Sequence, residues 1–251
     1  MAQTENGSDE EQTFLSHLIE LRSRLLKAVA AILLILVALL PFSKKLYGLL
    51  AEPLVAHLPV GGHIVATEVA SPFLVPLKLS FFVAIVVAMP FVLYQLWAFV
   101  SPGLYKREKR LAVPLLVSAI GLFYCGCAFA YFLVLPAIFT FMTSVAPEGV
   151  TVMPDITHLL DFALVLFLAF GLCFEVPVAL VILVAIGAVT PEQLSNNRPY
   201  MVVAAFVVAA VVTPPDVFSM IMLAIPMCLL YEAGIIAART LANPAVTEET
   251  E

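Results

Sequence analysis

From Leu159 to Val189 the chain is apolar apart from two acids, Asp161 near the start and Glu175 at the middle. About 20 apolar residues cross the hydrocarbon core of a bilayer, so this run predicts a membrane-spanning helix and excludes most other folds at once. Within it, Phe170-Gly171-Leu172-Cys173-Phe174-Glu175-Val176-Pro177 sets one carboxyl deep in the membrane. Asp161 lies about 21 Å away along a helix at ~1.5 Å per residue, too far to be its partner. A central acid costs a few kcal/mol on insertion scales, so Glu175 is expected to face protein, water or a partner. Without a countercharge it is favoured in its neutral form, which can donate a hydrogen bond. Pro177 removes the amide that would bond to the carbonyl of Cys173, so the helix should weaken beside the acid. The plainer alternative makes Glu175 internal glue, bonded to a Ser, Thr or Tyr of a neighbouring helix.

Only 12% of the residues are charged and 63% are hydrophobic, against about 25% charged in soluble domains. The chain therefore reads as an integral membrane protein. Its net charge of -6 reflects acids gathered at the two ends, and nucleic-acid binding has no support. Cys125, Cys127, Cys173 and Cys228 all sit inside apolar runs, where cysteine behaves as a small hydrophobe. Neither a disulfide framework, a zinc site nor any cofactor is indicated.

Residues 1–13 read as a disordered acidic tail. From Phe14, apolar positions recur at helical spacing opposite Ser16, His17, Glu20, Arg22, Ser23, Arg24 and Lys27, which predicts an amphipathic lead-in on the membrane surface. It runs into a first span from Leu25 to Phe42. The prolines and glycines between residues 44 and 73 suggest an external cap with one or two short helices. Further spans are expected at about Leu74–Val100, closing with Tyr94, Trp97 and Phe99 as an interface belt, at Leu111–Met142, and around Glu175. The last two apolar runs, Tyr200–Val212 and Val217–Tyr231, are short; they either form a re-entrant hairpin or span a locally thinned bilayer. Nine lysines and arginines (Arg22, Arg24, Lys27, Lys106, Arg107, Lys109, Arg110, Arg198, Arg239) fall on one side, against Lys44, Lys45 and Lys78 on the other. The expectation is an all-α protein of six transmembrane helices, the last two short, with both termini cytoplasmic. A single membrane domain covers residues 14–238, followed by a cytoplasmic tail, 239–251.

No phosphate loop, Gly-x-Ser-x-Gly elbow or His-Glu-x-x-His is present, and the four histidines are scattered. Two acids stand among bases: Glu20 before Arg22 and Arg24, and Glu108 between Arg107 and Lys109. Spacing alone allows each to be a local ion pair, such as Glu20 with Arg24 at i,i+4.

His17-Leu18-Ile19-Glu20-Leu21-Arg22 with Arg24-Leu25, Ala70-Ser71-Pro72-Phe73, Trp97-Ala98-Phe99 leading to Ser101-Pro102-Gly103-Leu104-Tyr105 and Glu108, Phe170-Gly171 to Pro177, and Thr213-Pro214-Pro215-Asp216 together resemble the twin-arginine protein translocase TatC family. The resemblance spans residues 17 to about 232. It implies a non-enzymatic receptor core in the bacterial inner membrane that moves folded proteins using the proton-motive force. Its implied partners are single-span TatA- and TatB-type subunits and twin-arginine signal peptides, within a larger complex holding several copies of the chain. Glu20 and Glu108 would receive the paired arginines, with Arg22, Arg24 and Phe99 beside them. Two carboxylates facing two guanidiniums make charge-assisted bonds that lysine reproduces poorly. Glu175, Thr213 and position 220 would form an intramembrane polar site for partner helices, and Pro53 and Asp216 match other positions important for function. One departure is Met220, where the family pattern has a glutamine. The alternative from the residues alone is a proton-coupled solute transporter with Glu175 as proton carrier, but such transporters carry matching broken helices in both halves, and here both short runs lie at the carboxyl end.

Overall fold

Proline placement and apolar length account for most element boundaries. The computed structural model describes residues 5–56, 65–100, 112–145, 153–213 and 216–242, with backbone alone for 5–17, 51–56, 100, 241 and 242. Among these residues the chain is helical: α1 (Glu5–Leu39), α2 (Ser43–Ala56), α3 (Ser71–Val100), α4 (Ala112–Phe129), α5 (Leu135–Val145), α6 (Ile156–Cys173), α7 (Val176–Ala185), α8 (Pro191–Asn196), α9 (Arg198–Val212) and α10 (Val217–Ala242). A 3-10 turn, Leu40–Phe42, carries Pro41 and joins α1 to α2. A π-helical segment, Ala130–Val134, joins α4 to α5, with the Leu135 amide reaching back to the Ala130 carbonyl.

Five stretches are long and apolar enough to cross a membrane: Leu18–Leu50, Ser71–Phe99, Ala112–Val145, Ile156–Ala185 and Val217–Thr240, while α9 is a shorter apolar helix. The sequence expectation of an all-α membrane protein is what the chain adopts. Two boundaries differ from the reading above. The lead-in and first span form one helix starting at Glu5, inside the segment expected to be disordered, because neither glycine nor proline interrupts the chain between Gly7 and Pro41. The 15-residue apolar run from Val217 lies within a 26-residue helix, about 39 Å long against ~22 Å for α9. The polar end of α10 continues because α8 and α9 give it partners. Arg198 meets Glu232 at 2.6 Å, and the Tyr231 hydroxyl donates to the Leu194 carbonyl at 2.9 Å.

The start of α1, α8 and the end of α10 share one face of the bundle, here the terminal face; α2, the start of α3 and the start of α6 lie at the far face. The largest core cluster joins α6 (Ala163, Leu166, Phe170) to Val134, Leu135 and Ile138 of the third span and to α9 and α10. A second cluster sets Met89, Leu93 and Trp97 against Ala119 and Phe123. Trp97, expected in an interface belt, is 5% exposed; it fills the seam between α3 and α4, while Tyr94 faces outward. Among the described side chains of α1 only Ala28 is buried, so this helix leans on α3 and leaves its leucines to lipid.

Intrahelical prolines free carbonyls that a bilayer cannot hydrate. Pro90 lacks the amide that would bond to Val86, and the Tyr124 hydroxyl donates to the Val86 carbonyl at 3.0 Å. Pro53 does the same to Leu49, whose carbonyl accepts from the Tyr131 hydroxyl at 3.4 Å. Two tyrosines of the third span thus repair breaks in two neighbouring helices.

Candidate functional site

On the terminal face, α1 presents Glu20 to α3. Arg24 lies one turn on and bonds to a single carboxylate oxygen, Oε1, through Nη2 at 2.6 Å and Nε at 2.9 Å. The i,i+4 ion pair that spacing allowed is formed, with the side chains 24% and 38% exposed for Arg24 and Glu20 respectively. Arg24 also extends Nη1 to the Oε1 of Gln95, 3.5 Å away on α3. Gln95 is buried, and Phe99 follows it by one turn, placing the aromatic on the same side of α3. Arg22 is exposed. Glu108 lies outside the described residues. Gln95 was missed from sequence because one amide in an apolar run carries no spacing signal.

Glu175 occupies the break between α6 and α7. The Glu175 amide reaches back only three residues, to Leu172, and the ladder resumes with the Ala179 amide on the Glu175 carbonyl. Pro177 therefore does what its missing amide predicts. Neighbouring helices approach the break through glycines: a Cβ on Gly126 of α4 would lie 2.5 Å from the Phe170 carbonyl oxygen, and one on Gly234 of α10 would lie 2.9 Å from the Pro177 Cα. Phe129 rests on both Phe170 and Phe174. Glu175 is partly buried, and its Oε1 is buried with no hydrogen-bond partner among the described residues. The internal-glue alternative would need a bond from a neighbouring Ser, Thr or Tyr at that atom. On the outer side, Leu172, Cys173 and Val176 line an apolar groove of about 370 Å³ with Val208, Val212 and Met227.

Thr213, Asp216 and Met220 lie together at the far end of the α9–α10 hairpin. Thr213 is buried and donates to the Ala209 carbonyl at 2.8 Å. Asp216 caps α10, its Oδ1 accepting from the Ser219 amide at 2.7 Å, while its Oδ2 and the Ser219 hydroxyl are buried without partners among the described residues. Met220 packs against the main core cluster. Glu175 does not join this group. It is level with Gly234, which stands about 21 Å along α10 from Met220. Pro53 lies in α2, where its backbone effect on Leu49 ties it to Tyr131.

A clasp at the far face escaped the sequence reading. Asp155 caps α6 through Oδ1, which accepts from the Thr157 and His158 amides, while Oδ2 accepts from the Thr67 hydroxyl at 2.6 Å and amide at 2.9 Å. These bonds, the Thr67 hydroxyl foremost, hold the carboxyl well below the usual carboxylate range. Val65 pairs with Asp155 in a parallel bridge, the Ser71 and Thr157 hydroxyls meet at 2.7 Å, and Lys78 pairs with Asp161 at 2.8 Å. The Asp-x-Thr cap before an apolar run was a usable signal; its cross-chain partner Thr67 was not.

A model of the Sec-independent protein translocase protein TatC matches residues 16–226. The chain is 53% identical to the Haemophilus influenzae Sec-independent protein translocase protein TatC, over 92% of this chain and 90% of that one. It is 51% identical to the Escherichia coli K12 protein of the same name, with the same coverage. A crystal structure described as the twin-arginine translocase receptor TatC superposes with a TM-score of 0.81 at 36% identity, covering 90% of this chain and 99% of that one. With its helical membrane fold and its broken helix at Glu175, the chain belongs to the TatC family of multi-pass inner-membrane translocase proteins.

Proposed function

We propose that this chain is the core receptor subunit of a twin-arginine translocase, binding the paired arginines of signal peptides on its cytoplasmic face and working with single-span TatA- and TatB-type subunits to export folded proteins, driven by the proton-motive force. The observation that carries this reading is the placement of Glu20, a partly exposed carboxylate on the terminal face whose partner Arg24 reaches Gln95 of α3, in a chain of this family. That face is the cytoplasmic one on the positive-inside rule, since it carries Arg22, Arg24, Arg198 and Arg239. Glu108 supplies the second carboxylate. Glu175 and the groove beside it take a partner helix: an acid with an unfilled hydrogen-bonding atom next to an apolar channel suits a helix bearing one polar group. The family relationship displaces the proton-coupled transporter considered above.

The test is binding of an Arg-Arg signal peptide to the full chain in nanodiscs. Glu20→Gln should weaken it about tenfold, in line with a charge-assisted bond on a half-exposed group, and unchanged affinity in the Glu20→Gln, Glu108→Gln pair would sink the receptor reading. For the partner site, Glu175→Gln should keep much of the crosslinking to a TatA- or TatB-type helix and Glu175→Ala should lose more. Equal and complete loss in both would point to an obligatory ionising role.

A further inference from the structure

Glu20, the carboxylate assigned to an incoming arginine, already holds one. Arg24 grips its Oε1 with two nitrogens, and the third nitrogen of the same guanidinium stands 3.5 Å from a buried amide oxygen on the next helix. That distance is at the outer limit of a hydrogen bond, one that a small turn of the guanidinium would shorten. We propose that Arg24 is a built-in placeholder: it occupies Glu20 in the resting receptor, and the arginine of a signal peptide takes its place by exchange, with Gln95 accepting the displaced guanidinium.

Three features support the exchange. Arg24 holds Oε1 with two nitrogens, so a ligand guanidinium that engages both Glu20 oxygens side by side, the strongest arrangement for such a pair, must move Arg24 aside. The resting pair is half-exposed, and pairs of that kind are weak enough to give way to a ligand that brings further contacts. Gln95 is 8% exposed on α3 and carries no charge, so it can receive Arg24 without competing for the peptide. Gln95 is thus a positioning residue. It keeps Arg24 solvated by a protein oxygen once Glu20 is lost, in a place where an unpaired guanidinium would otherwise lie against apolar helix. A receptor whose competent state is only partly populated binds with an apparent affinity reduced by that fraction.

The inference rests on the receptor reading, and a peptide titration separates the two. The probe is a fluorescent synthetic peptide with an Arg-Arg pair followed by an apolar stretch, bound to the full chain in nanodiscs. Arg24→Gln should tighten binding about two- to fivefold, the range that freeing a weak exposed pair allows, and Arg24→Lys should fall between it and the parent. Lys27→Gln removes the same charge one turn away on the exposed face and serves as the control for general electrostatics. An equal rise there would overturn the proposal. Gln95→Leu should weaken binding about two- to threefold in the parent and change nothing in the Arg24→Gln background, because no displaced guanidinium then needs an acceptor. Looser binding in Arg24→Gln, with an unchanged melting temperature, would place Arg24 among the groups that hold the peptide and end the placeholder idea while leaving the receptor reading intact. Loss of the Glu20→Gln effect would end both.

Discussion

At the far face α3 is fastened to α6 and to the segment before it by Ser71 with Thr157, Lys78 with Asp161 and Asp155 with Thr67, whereas at the terminal face its polar contact with α1 between Arg24 and Gln95 is a long one. The same helix is thus tied by short polar bonds at one end and held by apolar packing, with Trp97 in the seam to α4, at the other. The difference follows from what each end does. Contacts that join residues more than 80 positions apart, such as Lys78 with Asp161, fix how the second and fourth spans pack. A side chain that must shift when a ligand arrives cannot also be a fastening.

Several substitutions break or sharpen that contrast, each read by reversible unfolding of the full chain in detergent. Asp155→Ala should be the most damaging, because one side chain caps α6 and ties down Thr67. If it cost no more than Gln95→Leu, the two ends would be alike and the contrast would fail. The same group sets a pH test. Its depressed folded value means that its contribution is complete above the ordinary carboxylate range, near pH ~4, and fades as pH falls from there through the folded value. The far clasp should therefore be insensitive to pH between about 5 and 8 and loosen in stronger acid, and Asp155→Asn should flatten that acid dependence. Lys78→Met, which strands Asp161, should cost about 1–2 kcal/mol, between exposed and buried pairs; adding Asp161→Leu should recover most of it. Tyr124→Phe, on α4 facing the middle of α3, should cost about 1 kcal/mol by leaving the Val86 carbonyl unmet. Gln95→Leu should change stability by less than ~0.5 kcal/mol, since Arg24 keeps Glu20.

What the sequence made legible was local chemistry. Apolar length announced the spans, Pro177 announced the break at Glu175, and the four-residue spacing of Glu20 and Arg24 announced their ion pair. What it hid was set by packing between distant segments. Thr67 gives no sign that it will meet Asp155, and Gln95 none that it will face Arg24. The grouping of Glu175 with Thr213 and Met220 merged two levels of the bundle, because intramembrane polar residues look alike along a chain until their helices are laid side by side. Trp97 was assigned to a lipid interface for a similar reason: aromatic residues near a helix end fill protein seams as readily as they face headgroups.

The widened turn at Ala130–Val134 sets the rotational phase between the two halves of the third span. A regular helix turns about 100° per residue, and a wide turn that takes up one extra residue turns less, so regularising this stretch to α-geometry at unchanged length would swing all of α5 by roughly that angle relative to α4. Leu135 and Ile138, now 2% and 1% exposed, would leave the core for lipid, while Tyr131 and Phe129 would keep different bearings on α2 and α6. The extra residue held in this turn therefore sets the azimuth of everything that follows it up to Val145, and the span behaves as two helices keyed to separate neighbours.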